Sequence, residues 1–207
     1  MSTKCTEQAI YDSIEACPGK KVLAGIRRRV YFVPKTDIVT WPKLPDLGGT
    51  EKDKVTDMGA LATFVGNFAL KADSYFHYID LKDNASNVSY ETAGELGSQL
   101  INNQATMIVA GSSKELAGFA RQVKNDDLVY VYQEREGAFR VLGNEMFSTD
   151  TKPSGDTAAE ATGAKTTTYA VQVYDDCPAP YYEGKLPLSA TEELDCATGE
   201  VVTKEAA

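Results

Sequence analysis

Apolar residues in this chain occur in short runs or at every second position, separated by glycine, proline and polar residues. Alternation with a period of two is typical of half-buried strands. Such strands are predicted at residues 22–33, 38–41, 60–70, 75–81, 88–92, 95–101, 106–110, 128–132, 138–143 and 169–174. The pattern therefore predicts a mainly β protein.

One segment follows a helical period instead. An apolar stripe at positions i, i+3, i+4 and i+7 is formed by Leu116, Phe119, Ala120 and Val123. Ser112 precedes this stripe, and Glu115 lies three residues after Ser112, which is the spacing of a capping box. We expect one main helix here, with its stripe packed against a sheet.

Three stretches lack the apolar residues that would anchor them in a core. Residues 42–59 combine proline and glycine with a charged tip, and residues 148–164 are rich in Thr, Ser, Gly and Ala. Both are predicted as long loops, the second as a mobile one. Three prolines after Cys177 predict an extended C-terminal arm, with a small hairpin near residues 197–199. The expected organisation is a β-rich domain over 1–177 and an arm over 178–207.

The charge is acidic. The 207 residues include 21 Lys and Arg against 30 Asp and Glu, which gives a net charge of −9. This balance argues against binding DNA through its phosphates, which requires a basic surface. The only run of three basic residues is Arg27-Arg28-Arg29, inside an apolar stretch. Salt bridges within the subunit or a contact between subunits explain this run better than a DNA site.

Little in the sequence points to catalysis. A Ser or Cys nucleophile generally needs an adjacent base, and the only histidine, His77, lies in a predicted strand. The four cysteines, Cys5, Cys17, Cys177 and Cys196, form no CxxC pair. We therefore expect no enzymatic activity, no cofactor and no metal site. With no signal peptide and no apolar stretch near the ~18 residues of a membrane helix, we expect a cytosolic protein with free thiols and no membrane partner.

Tyrosines are numerous in the C-terminal half, where they are Tyr130, Tyr132, Tyr169, Tyr174, Tyr181 and Tyr182. Tyrosine suits half-buried strands and binding surfaces equally. A monomeric β-sandwich that binds a glycan or a protein is therefore one open alternative. An enzyme with an unrecognised site is another. A third follows from the strand edges, because a β-rich chain with long extensions can cover its edges by pairing with other copies.

A family resemblance favours this third alternative. The segment 25–33, Gly-Ile-Arg-Arg-Arg-Val-Tyr-Phe-Val, follows Cys17-Pro18-Gly19 and precedes Asp37-Ile38. After it come a run of strands, a helix at 113–124, a strand at 128–132, a turn at 134–137 and a return strand at 139–143. This segment and this order of elements resemble the tail-tube and related virion structural proteins of bacteriophages of Bacteroidetes-type hosts.

The resemblance implies a β-sandwich or half-barrel with one main flanking α-helix. It implies subunits that form rings, often hexameric, and rings that stack through long loops and terminal arms. DNA passes through the lumen during ejection, and an acidic lumen would let it slide. The expected partners are other copies of the chain and other tail or neck proteins, and the expected location is the virion tail after synthesis in the host cytoplasm.

The loops over 42–59 and 148–164 and the arm over 178–207 would make the stacking contacts. Together with the basic run, this nominates a set of candidate subunit contacts: Arg27, Arg28, Arg29, Trp41, Leu44, Leu47, Tyr181 and Tyr182.

Overall fold

A computed structural model describes residues 11–15, 17–19, 21–45, 55 and 57–204. Strands make up 43% and helices 9%, which confirms the prediction of a mainly β fold with one main helix. In the described part of the chain, no helix has the length and apolar content that crossing a membrane requires.

Thirteen strands and two α-helices follow one another along the described chain. The strands are β1 (Ile26–Pro34), β2 (Ile38–Thr40), β3 (Ala69–Leu70), β4 (His77–Asp80), β5 (Asn87–Ala93), β6 (Leu100–Ala110), β7 (Leu128–Glu134), β8 (Phe139–Leu142), β9 (Asp150–Asp156), β10 (Thr166–Asp175), β11 (Lys185–Pro187), β12 (Glu192–Asp195) and β13 (Glu200–Thr203). The helices are α1 (Met58–Leu61) and α2 (Lys114–Val123). A 3₁₀ turn over Lys35–Asp37 joins β1 to β2.

Two four-stranded antiparallel sheets form a sandwich. The first sheet has the order β4-β1-β7-β8, and the second has the order β5-β6-β10-β9. Side chains from both sheets meet in one core, to which the first sheet contributes Val30, Tyr130 and Leu142 and the second contributes Met107, Tyr169 and Val171. Sheets that bury one face in this way hold their register, because a slip of one residue would expose every core side chain.

The first sheet is covered on its other face as well. Val129, Val131 and Val141 point into a second apolar cluster, together with Tyr182 and Leu186 from the C-terminal segment. Burial on both faces explains why residues 128–132 read as a continuous apolar run rather than an alternating one. The fold therefore has three layers, with the first sheet in the middle.

Helix α2 connects the two sheets of the sandwich. The ring centroid of Phe119 lies 4.9 Å from that of Phe32 in β1 and 5.1 Å from that of Tyr169 in β10. Val123 is buried in the core between the sheets, and the predicted stripe is confirmed. The predicted cap is wrong by one residue: the hydroxyl of Ser113, not Ser112, accepts the N–H of Leu116 at 3.3 Å.

The prediction of a mobile loop over 148–164 is wrong for its first half, and residues 157–164 form no strand or helix. Residues 150–156 form the edge strand β9, paired with β10 from Asp150 opposite Gln172 to Asp156 opposite Thr166. The side chain of Thr151 is buried, and its hydroxyl lies 3.0 Å from that of Tyr130. Strand β9 is held by backbone hydrogen bonds to β10 and by one buried hydroxyl. Because neither requires apolar side chains, the strand shows no apolar alternation in the sequence.

The segment predicted as an extended C-terminal arm also folds differently. Strands β11, β12 and β13 form a small antiparallel sheet, and the predicted hairpin near 197–199 joins the last two of them. Tyr182 and Leu186 are 0% exposed and Leu194 is 2% exposed. Because these side chains lie far apart in the sequence and each fills the second cluster singly, their burial leaves no periodic pattern.

Two predicted strands are wrong as well. Residues 60 and 61 complete α1, whose cap is Asp57 accepting the N–H of Ala60 at 2.8 Å, and within 60–70 only Ala69–Leu70 is a strand. Over 95–101 it turns at Glu95, and β6 begins at Leu100. In both places glycines interrupt the apolar run. Most of the predicted loop over 42–59, namely residues 46–54 and 56, lies outside the described residues.

Candidate assembly surface

The three consecutive arginines lie in an irregular stretch of β1. Ile26 pairs with Glu134 of β7, but the next paired residue, Val30, lies opposite Tyr132, so that three residues of β1 stand against one of β7. Extra residues in one strand make a β-bulge, which bends the strand locally and redirects its side chains. Arg27, Arg28 and Arg29 are all exposed.

Arg29 makes a salt bridge within the subunit. Its Nε and Nη2 donate to the two carboxylate oxygens of Asp80 in β4, at 2.9 and 3.1 Å. Its guanidinium carbon lies 3.9 Å from the ring centroid of Tyr78. The hydrogen bond from Arg29 lowers the pKa of the Asp80 carboxyl below its usual value. Because both side chains are about half exposed, this pair orients Arg29 more than it stabilises the fold.

Arg27 and Arg28 form no ion pair with any residue that the structure describes. Arg28 has only a long hydrogen bond, from its Nε to the carbonyl of Leu81 at 3.5 Å. Both side chains line an open depression of about 580 Å³. This depression also contains Arg135, which donates to the side-chain oxygen of Asn84 and lies 4.0 Å from Asp83.

The depression is locally basic. Its lining includes four arginines and two aspartates, namely Arg27, Arg28, Arg29, Arg135, Asp80 and Asp83. This is an excess of two positive charges in a chain whose net charge is −9. An open, positively charged surface suits an acidic partner surface, and complementary potentials accelerate and orient such contacts.

The other candidate contacts lie apart from the depression. Trp41 packs at the edge of the second cluster, with its ring centroid 5.7 Å from that of Phe68. Leu44 is half-buried, and Leu47 lies outside the described residues. The structure therefore gives Trp41 a packing role within the subunit.

The two adjacent tyrosines have different surroundings. The hydroxyl of Tyr182 accepts the N–H of Phe68 at 3.3 Å and donates to the carbonyl of Lys185 at 2.9 Å. This residue is fully buried, so that its ring is not at the surface, where a subunit contact would need it. Tyr181 is half-buried, and the guanidinium carbon of Arg140 lies 4.5 Å from its ring centroid.

Arg140 is an important residue that the sequence interpretation missed. Its guanidinium donates to the carboxylate of Glu134 at 2.8 Å, to the carbonyl of Ala179 at 2.7 Å and to the carbonyl of Pro178 at 2.7 Å. Asn103 adds two bonds, because it donates to the carbonyl of Cys177 at 3.0 Å and accepts the N–H of Ala179 at 2.9 Å. The one sequence feature that could have indicated this cluster is a charged residue, Arg140, between the apolar positions of a predicted hairpin strand.

The cysteines and the histidine form no common site in the described chain. Cys177 and Cys196 are buried free thiols, and Cys17 is exposed. Burial raises the pKa of the Cys177 thiol to about 11. His77 is exposed, and its ring centroid lies 5.7 Å from that of Phe32. The described residues contain no group of three or more His, Cys, Asp or Glu that could hold a metal ion.

The edges of the two large sheets differ in how they are covered. The edge of β8 is occupied, since the N–H of Val141 donates to the carbonyl of Pro180 at 2.9 Å. Strand β9 carries Pro153, and β4 is only four residues long. Strand β5 has seven residues, no proline and no lysine, and no described strand covers its outer side. Unprotected edges of this kind accept strands from other chains.

Comparison with protein-family models, with curated proteins and with solved structures gave no match to this chain.

Proposed function

We propose that this chain is a structural protein of a virion, a self-assembling subunit of a phage tail tube or of a tail or neck ring through which DNA is ejected. The proposal rests on the resemblance of segment 25–33 and of the order of elements to tail-tube proteins. It is supported by the mainly β sandwich with one main flanking helix, which is the architecture that the resemblance implies.

The observation that carries self-assembly is the arginine depression. Arg27 and Arg28 are exposed and form no ion pair with the described residues of their own subunit. The rest of the chain is strongly acidic, so a second copy offers a complementary surface. A contact between two different patches of the same chain is head-to-tail, and such contacts close into rings when the rotation allows.

The acidic charge also suits the passage of DNA. A wall of negative charge repels phosphates, so that a duplex moves along it without being retained. In the proposed ring the arginines are used in contacts between subunits, which leaves the acidic side chains to line accessible surfaces. Rings would stack and would contact other tail or neck proteins.

The alternative of a glycan-binding module is less well supported. It relied on six tyrosines in the C-terminal half. Four of them are at most 2% exposed, namely Tyr130, Tyr132, Tyr169 and Tyr182. Tyr174 and Tyr181 remain accessible in part, and they do not form a ring-to-ring contact with each other. A flat aromatic platform of the size that a sugar needs is therefore not assembled from this set.

Electron microscopy and mass measurement of the purified chain test the proposal. We expect rings or tubes, and we expect them to dissociate at high salt because the contact is electrostatic. The double change Arg27→Glu with Arg28→Glu should abolish them. The matched control is Arg121→Glu, an exposed arginine on α2 outside the depression.

Two outcomes would contradict the proposal. One is a chain that stays monomeric, with no ordered particles, at high concentration and low salt. The other is ring formation that the double change leaves intact, which would remove the depression from the contact. The virion role has its own test, since genes for capsid, portal or tail proteins should lie beside the gene for this chain.

A further inference from the structure

The free edge of β5 presents a defined set of backbone groups. In β6, the N–H of Ile108 donates to the hydroxyl of Ser86 at 2.9 Å and its carbonyl accepts the N–H of Lys82 at 2.7 Å, so both groups of Ile108 point to the β5 side. Backbone groups alternate sides along an antiparallel strand. The backbone groups that bond to β5 are therefore those of the even-numbered residues of β6, beginning with Thr106 and Gln104.

This alternation determines the direction of every residue in β5. The register places Asn87 opposite Thr106, Ser89 opposite Gln104, Glu91 opposite Asn102 and Ala93 opposite Leu100, which are the hydrogen-bonded pairs. The residues between them turn their N–H and C=O groups outward, and these are Val88, Tyr90 and Thr92. Three donors and three acceptors are thus available at the edge, and no described strand binds them.

The opposite edge of the same sheet is blocked by a proline. The backbone groups of Met107 point to the side opposite to those of Ile108 and therefore bond to β10. The partner of Met107 in β10 is Tyr169, whose N–H and C=O point towards β6 and away from β9. Pro153 lies opposite Tyr169 and therefore turns its nitrogen outward. A proline at an outward position removes the donor that a foreign strand would need. The two edges differ in their protection, and only the β5 edge is competent to extend the sheet.

We propose that β5 pairs with β5 of a second copy of this chain, antiparallel and centred on Tyr90, to join the two second sheets into one of eight strands. In this register Tyr90 lies opposite Tyr90 of the partner subunit, and Val88 lies opposite the partner's Thr92. Each of these residues presents both backbone groups, so three opposing pairs exchange six hydrogen bonds.

The side chains of β5 suit this two-fold register. Glu91 is the only charged residue in β5, and the register sets it opposite the partner's Ser89, not opposite its own copy. Its carboxylate is also held by its own subunit, where Asn102 and Gln104 donate to it at 3.0 and 2.7 Å. Tyr90 is 61% exposed, and two tyrosines facing each other form a favourable cross-strand aromatic pair.

This inference does not rest on the proposed function. The β5 contact joins the same patch on two subunits and closes in a dimer. It uses a different surface from the arginine depression. It would join two single subunits, or two rings back to back.

Sedimentation equilibrium tests the contact. At a salt concentration that dissociates the electrostatic ring contact, we expect the wild-type mass to rise with concentration from 22.4 kDa towards twice that value. Thr92→Pro removes an outward N–H but no bond to β6, and Tyr90→Lys sets two positive charges against each other. Each should weaken the dimer by about tenfold or more and leave the circular dichroism spectrum unchanged. The control is Tyr11→Lys, at an exposed tyrosine outside the sheets.

Cross-linking tests the register itself, in a chain with Cys5 and Cys17 changed to serine. Directly opposed, hydrogen-bonded residues have Cα atoms about 5.5 Å apart, which is within the range that a disulfide bridges. Tyr90→Cys should therefore form a covalent dimer on mild oxidation. Thr92→Cys should not, because the two copies of residue 92 are offset by roughly 13 Å along the strands.

Three results would overturn the proposal. The first is a wild-type chain that remains monomeric up to about 1 mM, where even weak specific contacts are populated. The second is a dimer that neither Tyr90→Lys nor Thr92→Pro weakens. The third is equal cross-linking at positions 90 and 92. If the double change Arg27→Glu with Arg28→Glu abolishes the rings but leaves the β5 dimer intact, the ring contact and the β5 contact are independent of each other.

Discussion

The guanidinium of Arg140 donates to the main-chain carbonyl of Pro178 at 2.7 Å, and this bond ties the C-terminal segment to the sandwich. The same side chain holds Ala179, whose φ of +26° is unusual for a residue with a side chain. The segment then continues to Tyr182 and into the third layer. One arginine in the return strand of a hairpin thus positions the cover of the first sheet.

Replacing Arg140 with methionine should destabilise the protein by about 3 kcal/mol. The change removes three charge-assisted donors and leaves the carbonyls of Pro178 and Ala179 and the carboxylate of Glu134 without them. Urea unfolding measures the loss. Arg121→Met, on the exposed side of α2, should stay within about 0.5 kcal/mol of wild type. A loss below about 1 kcal/mol for Arg140→Met would show that the segment is held mainly by its apolar contacts.

The elements that sequence reasoning found are those whose burial is periodic. Strand β7 is apolar throughout because both of its faces are covered, and the stripe of α2 repeats every three or four residues. Strand β9 was missed because it contains Pro153, Gly155 and charged residues, and only Thr151 enters the core. The backbone hydrogen bonds that pair two strands cannot be recognised from the sequence when the side chains of a strand do not alternate between apolar and polar.

The candidate surface was only partly predictable for a related reason. Three adjacent arginines are visible in the sequence, and one of the interpretations offered for them, a salt bridge within the subunit, holds for Arg29. Its partner, Asp80, is 51 residues away. The carbonyl that Arg140 binds is 38 residues away, and any residue can supply a carbonyl. A side chain that binds a backbone carbonyl does not require a particular residue type as its partner, so the sequence does not indicate which residue it binds.

Thr151→Val should cost about 1–2 kcal/mol, although the two side chains have the same shape. The change removes the hydrogen-bond partner of the Tyr130 hydroxyl, 3.0 Å away, and both residues are buried. Thermal unfolding measures the difference. Ser154→Val, on the exposed part of β9, is the control and should have little effect. Equal stability of the two variants would mean that β9 is held by its backbone ladder alone.

Asp175 should make the stability of the protein depend on pH. Burial raises the pKa of this carboxyl above its usual value, against the opposing hydrogen bonds from Asn144 and from the N–H of Asp176. A carboxyl whose pKa is higher in the folded state binds protons more tightly there. The folded state is therefore favoured at low pH, and it loses stability as the pH rises through the folded-state pKa.

Asp175→Asn removes this dependence, because an amide of the same shape carries no charge. We expect the variant to gain stability relative to wild type as the pH rises from about 3 to about 7, with the gain complete above the folded-state pKa. Urea unfolding at several pH values measures it. Asp176→Asn, at the exposed neighbouring position, is the matched control. A difference that stays constant with pH would show that Asp175 titrates alike in the folded and unfolded chain.

Two glycines should respond to alanine with opposite signs. Gly143 follows β8 with a φ of +129°, and a Cβ there would lie 3.0 Å from Cγ2 and 3.2 Å from Cα of Val129, a fully buried residue of β7. Both the backbone conformation and the close approach oppose a side chain, so Gly143→Ala should cost about 3 kcal/mol. Gly118 lies within α2, and nothing lies within 4 Å of the added carbon. Gly118→Ala should therefore stabilise the protein by about 0.5–1 kcal/mol. Thermal unfolding of both variants checks the pair, and a loss of stability at Gly118 would contradict the exposure of that face of α2.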